Sequence, residues 1–243
     1  MTPSPLLPAD WTPPAAMLRV HLHWTAGAHR ASAEDRARYH VLVEGDGTLV
    51  RGDRSIAANA PGSGQAPASH TRGANTGAVG LALCGMRDAR ESPFDPGPSP
   101  LTALQWERAA AVAAELCRRY RIPVSRATLL SHAEVQGTLG IAQRGKWDVA
   151  RLAFDPSLVG ATAVGDRFRD LARAALGTGS DALRVTGTGG QGLSLRRWPM
   201  GARLGVLPEG ARVERLARMG AWARVRAADG LTGWAAAAYL AAA

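Results

Sequence analysis

Residues 17–27 read MLRVHLHWTAG, and this stretch decides the fold that we expect. Residues 18–24 alternate in character along the chain, which is typical of a β-strand. Because successive side chains of a strand point to opposite faces, His21 and His23 should share one face and Leu22 should point to the other. The sequence therefore predicts a core strand that carries a histidine near its end.

A second histidine and a carboxylate lie far downstream. His132 follows residues 127–131, which are expected to form a short strand or turn that leads into it. Asp148 ends a KWD tripeptide beyond a polar loop at residues 137–145. Two imidazoles and one carboxylate form a three-ligand set that suits zinc and leaves a fourth position for water. We predict that folding brings His23, His132 and Asp148 together as the Zn²⁺ ligands of a hydrolytic site.

Three other side chains compete for ligand roles. His21 lies on the predicted strand face of His23, where it can instead be a supporting or core residue. Asp155 offers another acid seven residues after Asp148. Cys84 has no second cysteine at metal-binding spacing, so a buried free thiol is the better interpretation.

The chain contains 28 arginines and a single lysine, Lys146, two residues before Asp148. An ammonium is a compact point charge, whereas a guanidinium spreads its charge over a plane. The lone lysine is therefore a candidate for a catalytic charge. The alternative is that GC-rich coding leaves an occasional lysine at random.

Length and composition set broad limits. The 243 residues suffice for one large domain, or for a medium domain and a small one. The hydrophobic content of 46% is ordinary for a globular protein, and without a run of 18 apolar residues we expect no transmembrane segment. Residues 1–16 are proline-rich and contain no basic residue, so they do not resemble a signal peptide and should form a flexible N-terminal arm.

Turn and capping signals mark the elements that follow the first strand. The Asp-Gly pair at residues 46–47, between two β-rich runs, predicts a hairpin. Residues 78–84 should form an apolar strand. Ser32 and Thr102 are the expected N-caps of two helices, the second with a capping box.

The pattern changes to short strands separated by turns from residue 183, which is typical of a small all-β barrel. A helix over residues 166–176 and a linker over residues 177–182 should precede it. Residues 183–243 carry nine arginines against three acids, a net charge of +6 within the +9 of the whole chain. Such a module favours an anionic partner: a cell-envelope polymer, a membrane surface or a nucleic acid.

Taken in chain order, these motifs resemble the zinc-dependent N-acetylmuramoyl-L-alanine amidases, a superfamily that includes phage lysozyme-type amidases and peptidoglycan recognition proteins. The motifs are HWTAG at 23–27, YH at 39–40 with DGT at 46–48, His70 with Gly73 and Asn75, SH at 131–132, and KWD at 146–148. The resemblance spans about residues 17–156. Residues 183–239 resemble bacterial SH3-like domains.

The resemblance implies an α/β catalytic domain at residues 17–176, a mixed β-sheet flanked by helices, and an SH3-like cell-wall-binding barrel at residues 183–243. His23, His132 and Asp148 match the metal ligands of the family. The cofactor implied is therefore Zn²⁺.

Catalytic roles are implied for Tyr39 and Lys146, which match a tyrosine and a lysine of phage-type members. Some members carry an acid in the strand that matches residues 80–85, but Ala82 and Cys84 stand there in this chain. Proton handling is therefore expected to fall to Tyr39 or Lys146.

Four further residues are candidates for substrate contacts. His70 and Asn75 can shape the substrate groove, or they can satisfy the backbone of their own loop. Trp24 and Trp147 flank metal ligands and can line a sugar site, although most tryptophans belong to the core.

The implied reaction is hydrolysis of the amide bond between N-acetylmuramic acid and L-alanine, in peptidoglycan or a muropeptide, by a monomer. One rival is a non-catalytic peptidoglycan-binding protein, against which the complete ligand set argues. A nucleic-acid-binding protein is suggested by the pI near 11.0, but it would need exposed aromatics among the basic residues, so we expect no specific nucleic-acid partner. Without a signal peptide, we expect synthesis in the cytoplasm, then action on the wall after export or lysis, as an endolysin acts, or on cytosolic muropeptides.

Overall fold

The computed structural model of the protein describes residues 5–177, 181–219 and 221–242. Contacts divide the chain into two compact units, Pro5–Ala172 and a second unit that contains the chain from Arg173 onward. Of the linker predicted over residues 177–182, residue 177 ends a helix, residues 181–182 begin a strand, and residues 178–180 lie outside the described residues. The domain limits inferred from the sequence remain predictions.

A mixed sheet forms the centre of the first unit. Its strands are β1 (Arg19–Trp24), β2 (Val41–Val43), β3 (Leu49–Arg51), β4 (Ala78–Leu83) and β5 (Leu129–Ser131). They lie in the order β3-β2-β4-β1-β5. β1 is parallel to β4 and β5, β2 is parallel to β4, and β3 is an antiparallel edge strand joined to β2 by the predicted hairpin. The expected α/β fold with a mixed sheet is confirmed.

The two faces of this sheet have different linings. One face enters the main apolar core, where β1 and β4 contribute Val20, Leu22, Trp24, Val79, Leu81 and Leu83. On the opposite face, His21 lies beside Gly80 and His23 beside Ala82 in the β1–β4 register. The alternation read from the sequence is therefore present, and small residues of β4 accompany the histidines.

Gly80 makes room for a further histidine on that second face. A Cβ at this position would lie 2.6 Å from the His70 ring. Any larger residue would therefore displace the ring.

Among the described residues, the sheet is accompanied by the α-helices α1 (Ala33–Arg38), α2 (Ala103–Tyr120), α3 (His132–Leu139) and α4 (Ala161–Gly177). Ser32 caps α1 and Thr102 caps α2, both through capping boxes, so both predicted caps are confirmed. α2 packs Trp106 and Leu116 into the main core.

Two helix boundaries differ from the sequence prediction. The short strand expected within residues 127–131 is present as β5, but α3 begins directly after it at His132 and takes up the beginning of the loop predicted at 137–145. The Glu134 carboxylate accepts the Ser131 N–H at 2.8 Å, and this capping interaction starts the helix at His132. α4 begins at Ala161 rather than at residue 166.

The N-terminal segment also differs from its prediction. A flexible arm is expected over residues 1–16, but residues 5–16 lie against the first unit. Leu7 is only 1% exposed. The backbone N–H groups of Leu6 and Leu7 donate to the Glu115 carboxylate of α2 at 2.6 and 3.0 Å. These contacts join residues more than a hundred positions apart, so no local signal predicts them.

Both cysteines are free and buried, as expected. Burial raises the pKa of the Cys84 thiol and of the Cys117 thiol to about 12. The two thiols are therefore protonated and unreactive at neutral pH.

From residue 181 onward, the described part of the second unit consists of β-strands and one short 3-10 helix, Ala237–Tyr239. Its strands are β6 (Asp181–Val185), β7 (Leu193–Arg196), β8 (Arg203–Leu207), β9 (Arg212–Met219), β10 (Trp222–Arg226), β11 (Thr232–Ala236) and β12 (Leu240–Ala242). They form one antiparallel sheet in the order β12-β6-β9-β10-β11-β7-β8. Its apolar core includes Val185, Leu195, Val213 and Val225. The predicted small all-β region is confirmed.

Across the described residues, the helices are all too short or too polar to cross a membrane.

Candidate metal centre

Three segments of the chain meet near the carboxyl end of β1. His23 is the penultimate residue of β1. His132 directly follows β5, which is the parallel neighbour of β1, so both histidines lie at the same edge of the sheet. Asp148 reaches them from the following loop, where its carbonyl accepts the Ala133 N–H at 2.6 Å.

The three predicted ligand atoms form a nearly equilateral triangle. His23 Nδ1, His132 Nδ1 and Asp148 Oδ2 each lie 3.1 Å from the other two. Tetrahedral zinc with ligands at about 2.0–2.1 Å would hold such atoms about 3.3 Å apart. All three side chains are buried. The structure thus brings together the set chosen from the sequence, and the set could hold a metal ion.

The outward-facing nitrogens of both histidines have oxygen partners. His132 Nε2 lies 2.8 Å from Gln143 Oε1, and His23 Nε2 lies 3.3 Å from Thr71 Oγ1. A metal-binding histidine commonly donates its other ring N–H to such an oxygen. The residues present therefore fit a metal bound through the two Nδ1 atoms.

The charges of this group also favour a cation. Burial lowers the pKa of His23, which leaves its imidazole neutral and its lone pair free, although the hydrogen bond with Asp148 opposes that shift. Burial alone would raise the pKa of Asp148, but hydrogen bonds and charge from His132 and His23 outweigh it, so the pKa lies below the ordinary value. A buried carboxylate beside the neutral His23 imidazole is an environment that stabilises a bound cation.

The two predicted catalytic residues lie beside the centre. The Tyr39 ring centroid is 5.2 Å from that of His23. Burial, with the charge of Asp148, raises the pKa of the Tyr39 phenol far above its ordinary value, so its hydroxyl remains a proton donor. Lys146 is exposed, and its charge contributes to lowering the pKa of His23.

A second group of histidines lies behind His23. His21, His23 and His70 are close enough to be a potential metal group, but the Thr71 hydroxyl occupies its middle. Thr71 Oγ1 lies 2.9 Å from His21 Nδ1 and 2.8 Å from His70 Nδ1. The supporting role expected for His21 therefore agrees with its contacts, and His70 is a buried neighbour of the site.

The four residues predicted to contact the substrate differ in their exposure to solvent. Trp24 is 6% exposed and belongs to the main core, so it lies beneath the site, as His70 does. Trp147 is half-buried and meets Trp24 edge-on at 4.5 Å. Asn75 Oδ1 accepts the Thr71 N–H at 2.7 Å. This contact fits the alternative role, in which Asn75 hydrogen-bonds the backbone of its own loop. Of the four, Trp147 is the one whose placement suits a direct substrate contact.

Sequence reasoning missed two residues of this centre. Thr71 follows His70, and Gln143 lies within the predicted polar loop. Neither residue type is diagnostic of a metal site, so a single sequence offers no signal for them.

Comparison with known families agrees with the geometry. A family model described as N-acetylmuramoyl-L-alanine amidase matches residues 13–150. A model described as bacterial SH3 domain matches residues 199–241. No match was found among curated proteins.

Solved structures of an amidase and of an endolysin show weak similarity. An N-acetylmuramoyl-L-alanine amidase, LysC, from Clostridium intestinale URNW is 18% identical, covers 61% of this chain and 90% of its own, and has a TM-score of 0.37. An endolysin of the Thermus scotoductus MAT2119 bacteriophage Ph2119 is 19% identical, covers 57% and 81%, and has a TM-score of 0.38.

The amidase family model covers more than half of the chain, across all the strands of the mixed sheet and the three converging residues. The SH3 match lies within the all-β unit. The chain therefore belongs to the N-acetylmuramoyl-L-alanine amidase family and carries a bacterial SH3 domain after its amidase domain.

Proposed function

We propose that this amidase is zinc-dependent and cleaves the bond between the lactyl group of N-acetylmuramic acid and the L-alanine of the peptidoglycan stem. The observation that carries the proposal is the 3.1 Å triangle of His23 Nδ1, His132 Nδ1 and Asp148 Oδ2. Imidazole nitrogens suit zinc, whereas calcium and magnesium prefer oxygen ligands. Bound zinc would lower the pKa of a water molecule and polarise the substrate carbonyl.

Lys146 is proposed to stabilise negative charge on the substrate. Its ammonium is exposed yet close enough for its charge to act on His23. When the amide carbon becomes tetrahedral, its oxygen gains negative charge, and a nearby ammonium lowers the energy of that state more than that of the planar amide.

Tyr39 is proposed to orient a reacting group. Its phenol stays neutral because its pKa is raised by burial, so it donates a hydrogen bond rather than accepting a proton. Its hydrogen bond to the Trp24 carbonyl is long, at 3.5 Å. A distance this long leaves the hydroxyl able to turn towards water or substrate.

The C-terminal unit is proposed to bind the cell wall. The chain from residue 183 carries a net charge of +6, and an anionic envelope polymer would attract it. The proposed division is a catalytic domain at residues 17–176, a linker at residues 177–182 and a wall-binding domain at residues 183–243. A monomer with this division would act as an endolysin does, on the wall after export or lysis.

Product analysis tests the reaction. Purified peptidoglycan treated with the protein should release stem peptides with a free L-alanine amino group, and glycan strands should keep intact lactyl groups. Mass spectrometry identifies both products, and the His132→Ala variant is the control. Products cut within the stem peptide or the glycan would contradict the proposed bond. The absence of any product from a zinc-loaded enzyme would favour a peptidoglycan-binding protein without activity.

A further inference from the structure

We infer that Arg169 of α4 is a positioning residue, which fixes the turn that carries the ligand His132. Its guanidinium holds the Glu134 carboxylate, and Glu134 in turn holds the residue before His132. The inference deepens the proposed function and rests on its metal centre. It assigns roles to Arg169 and Glu134, two buried residues outside the ligand set.

The Arg169 guanidinium is completely buried and is held by four hydrogen bonds. Its Nη1 donates to the Leu129 carbonyl at 2.9 Å and to Glu134 Oε2 at 3.1 Å. Its Nη2 donates to Glu134 Oε1 at 2.7 Å and to Asp166 Oδ1 at 2.8 Å. Each terminal nitrogen has two hydrogens, so all four are used, and the planar group is fixed in one orientation.

Glu134 connects this guanidinium to the backbone that precedes His132. Glu134 Oε2 accepts the Ser131 N–H at 2.8 Å and the Ser131 hydroxyl at 3.1 Å. On the other side of His132, the Ala133 N–H donates to the Asp148 carbonyl at 2.6 Å. The backbone is therefore held on both sides of His132, through the ion pair before it and through the segment of the third ligand after it.

Gly165 of α4 makes room for the Glu134 carboxylate. A Cβ at this position would lie 2.2 Å from Glu134 Oε2 and 2.4 Å from Oε1. Glycine is unfavourable inside a helix, and the close approach of the carboxylate accounts for it here. The position of this carboxylate is therefore set by α4 in two ways, by the donors of Arg169 and by the absence of a side chain at Gly165.

Stability alone is a weak explanation for this ion pair. Removing a guanidinium and a carboxylate from water costs free energy that their attraction often only offsets, so well-packed apolar residues would stabilise the fold at least as well. Apolar residues could not, however, donate to the Leu129 carbonyl or accept the Ser131 N–H. These two groups belong to buried residues directly before His132, and the ion pair gives both of them partners at fixed positions.

Gly165→Ala tests the position of the carboxylate without removing a charged group. The added methyl group would displace the Glu134 carboxylate, so the Ser131 amide should lose its acceptor. In the metal-free, full-length protein, hydrogen exchange of that amide, measured by NMR, should be at least about tenfold faster than in wild type. Gly137→Ala is the matched control, because a Cβ at this glycine of α3 would meet nothing within 4 Å. Its Ser131 amide should exchange as in wild type.

Zinc affinity tests the consequence for the ligand and is measured by competition with a chromophoric chelator. Arg169→Met and Gly165→Ala should each weaken zinc binding about tenfold or more, the scale for residues that support a ligand. Arg169→Lys should restore part of the affinity, because an ammonium can donate to Glu134 but cannot span both of its oxygens and the strand carbonyl. Leu116→Ala, at a fully buried position of α2, lowers stability away from the turn and should bind zinc as wild type does.

The outcomes separate this inference from the proposed function. Unchanged exchange of the Ser131 amide in Gly165→Ala would overturn the inference, and so would wild-type zinc affinity in Gly165→Ala or in Arg169→Met. Equal weakening by Leu116→Ala would overturn it too, because the effect would then follow from lost stability. A wild-type protein that binds no zinc, with the expected exchange rates, would overturn the metal-dependent function and leave the role of Arg169 in the turn standing. If Arg169→Met does not fold, the zinc affinity of Gly165→Ala decides by itself.

Discussion

The two faces of the mixed sheet contain the same strands but serve different purposes. On one face of β1 and β4, apolar side chains such as Leu22 and Leu81 are almost completely buried against α2. On the other face, His21 and His23 lie over Gly80 and Ala82, within a network of polar side chains. The first face stabilises the fold through apolar burial. The second face lowers the stability, because its polar groups are removed from water. Along β1, side chains that stabilise the fold therefore alternate with side chains that form the site.

The largest effect on stability should come from the apolar face. Leu81→Ala removes a fully buried side chain from the main core and should lower the free energy of unfolding by about 3 kcal/mol. Leu104→Ala, at an apolar position that is 39% exposed, is the matched control and should cost less than about 1 kcal/mol. Guanidinium unfolding measures both. An equal cost for the two variants would show that this face is not the core that stabilises the unit.

The largest effect on turnover should come from Lys146, on the polar side. Lys146→Ala should lower kcat by about 100-fold or more, the scale of losing one oxyanion donor. Zinc content and substrate binding should change little, and Lys146→Arg should restore only part of the rate because its planar group places the charge differently. Arg144→Ala, an exposed cation two residues away, is the control. Wild-type turnover by a zinc-loaded Lys146→Ala enzyme would contradict the role.

The polar face should also make stability depend on pH. Burial lowers the pKa of His40 to about 4, and it lowers those of His21 and His70 well below the ordinary value. As the pH falls below about 6.5, these histidines therefore bind protons in the unfolded chain but not in the folded chain. The free energy of unfolding then decreases by up to about 1.4 kcal/mol per pH unit for each such histidine.

His40→Gln isolates one of these groups. Between about pH 6.5 and pH 4, the unfolding free energy of this variant should fall less steeply with decreasing pH than that of wild type. The difference between the two slopes should correspond to one bound proton. Guanidinium unfolding at several pH values gives both slopes. Identical slopes would show that His40 is protonated as readily in the folded protein as in the unfolded chain.

The smallest effect concerns the second unit rather than the sheet. A chain ending after residue 178 should still cleave soluble muropeptides but bind intact sacculi at least about tenfold more weakly at low salt, since each arginine near an anionic surface contributes about 1 kcal/mol. Binding by the full chain should also be the more sensitive to salt. Pelleting with sacculi measures both. Equal pelleting of the two chains at low salt would reject the anchoring role.

The sequence predicts those residues whose role follows from their immediate neighbours or from their residue type. The alternation around His23 gives the strand and its two faces, and Ser32 and Thr102 are recognisable caps. Histidine and aspartate are typical metal ligands, so His132 and Asp148 could be chosen by type and order.

The rest depends on contacts between distant segments. Leu7 is buried because it meets α2, and Thr71 matters because folding places its hydroxyl among three histidines. Nothing in the neighbouring residues of either indicates this. The start of α3 was different, since Ser131 and Glu134 form a recognisable Ser-x-x-Glu capping pattern that the prediction overlooked.

The most direct test of the metal centre is to titrate metal-free protein with zinc and measure amidase turnover on the same samples. Turnover should rise in proportion to zinc and level off at about one ion per chain, because three ligands converge at a single centre. His23→Ala and His132→Ala should neither retain zinc nor respond to it. Full turnover by the metal-free protein, or full zinc occupancy in both histidine variants, would contradict a catalytic metal centre on this face of the sheet.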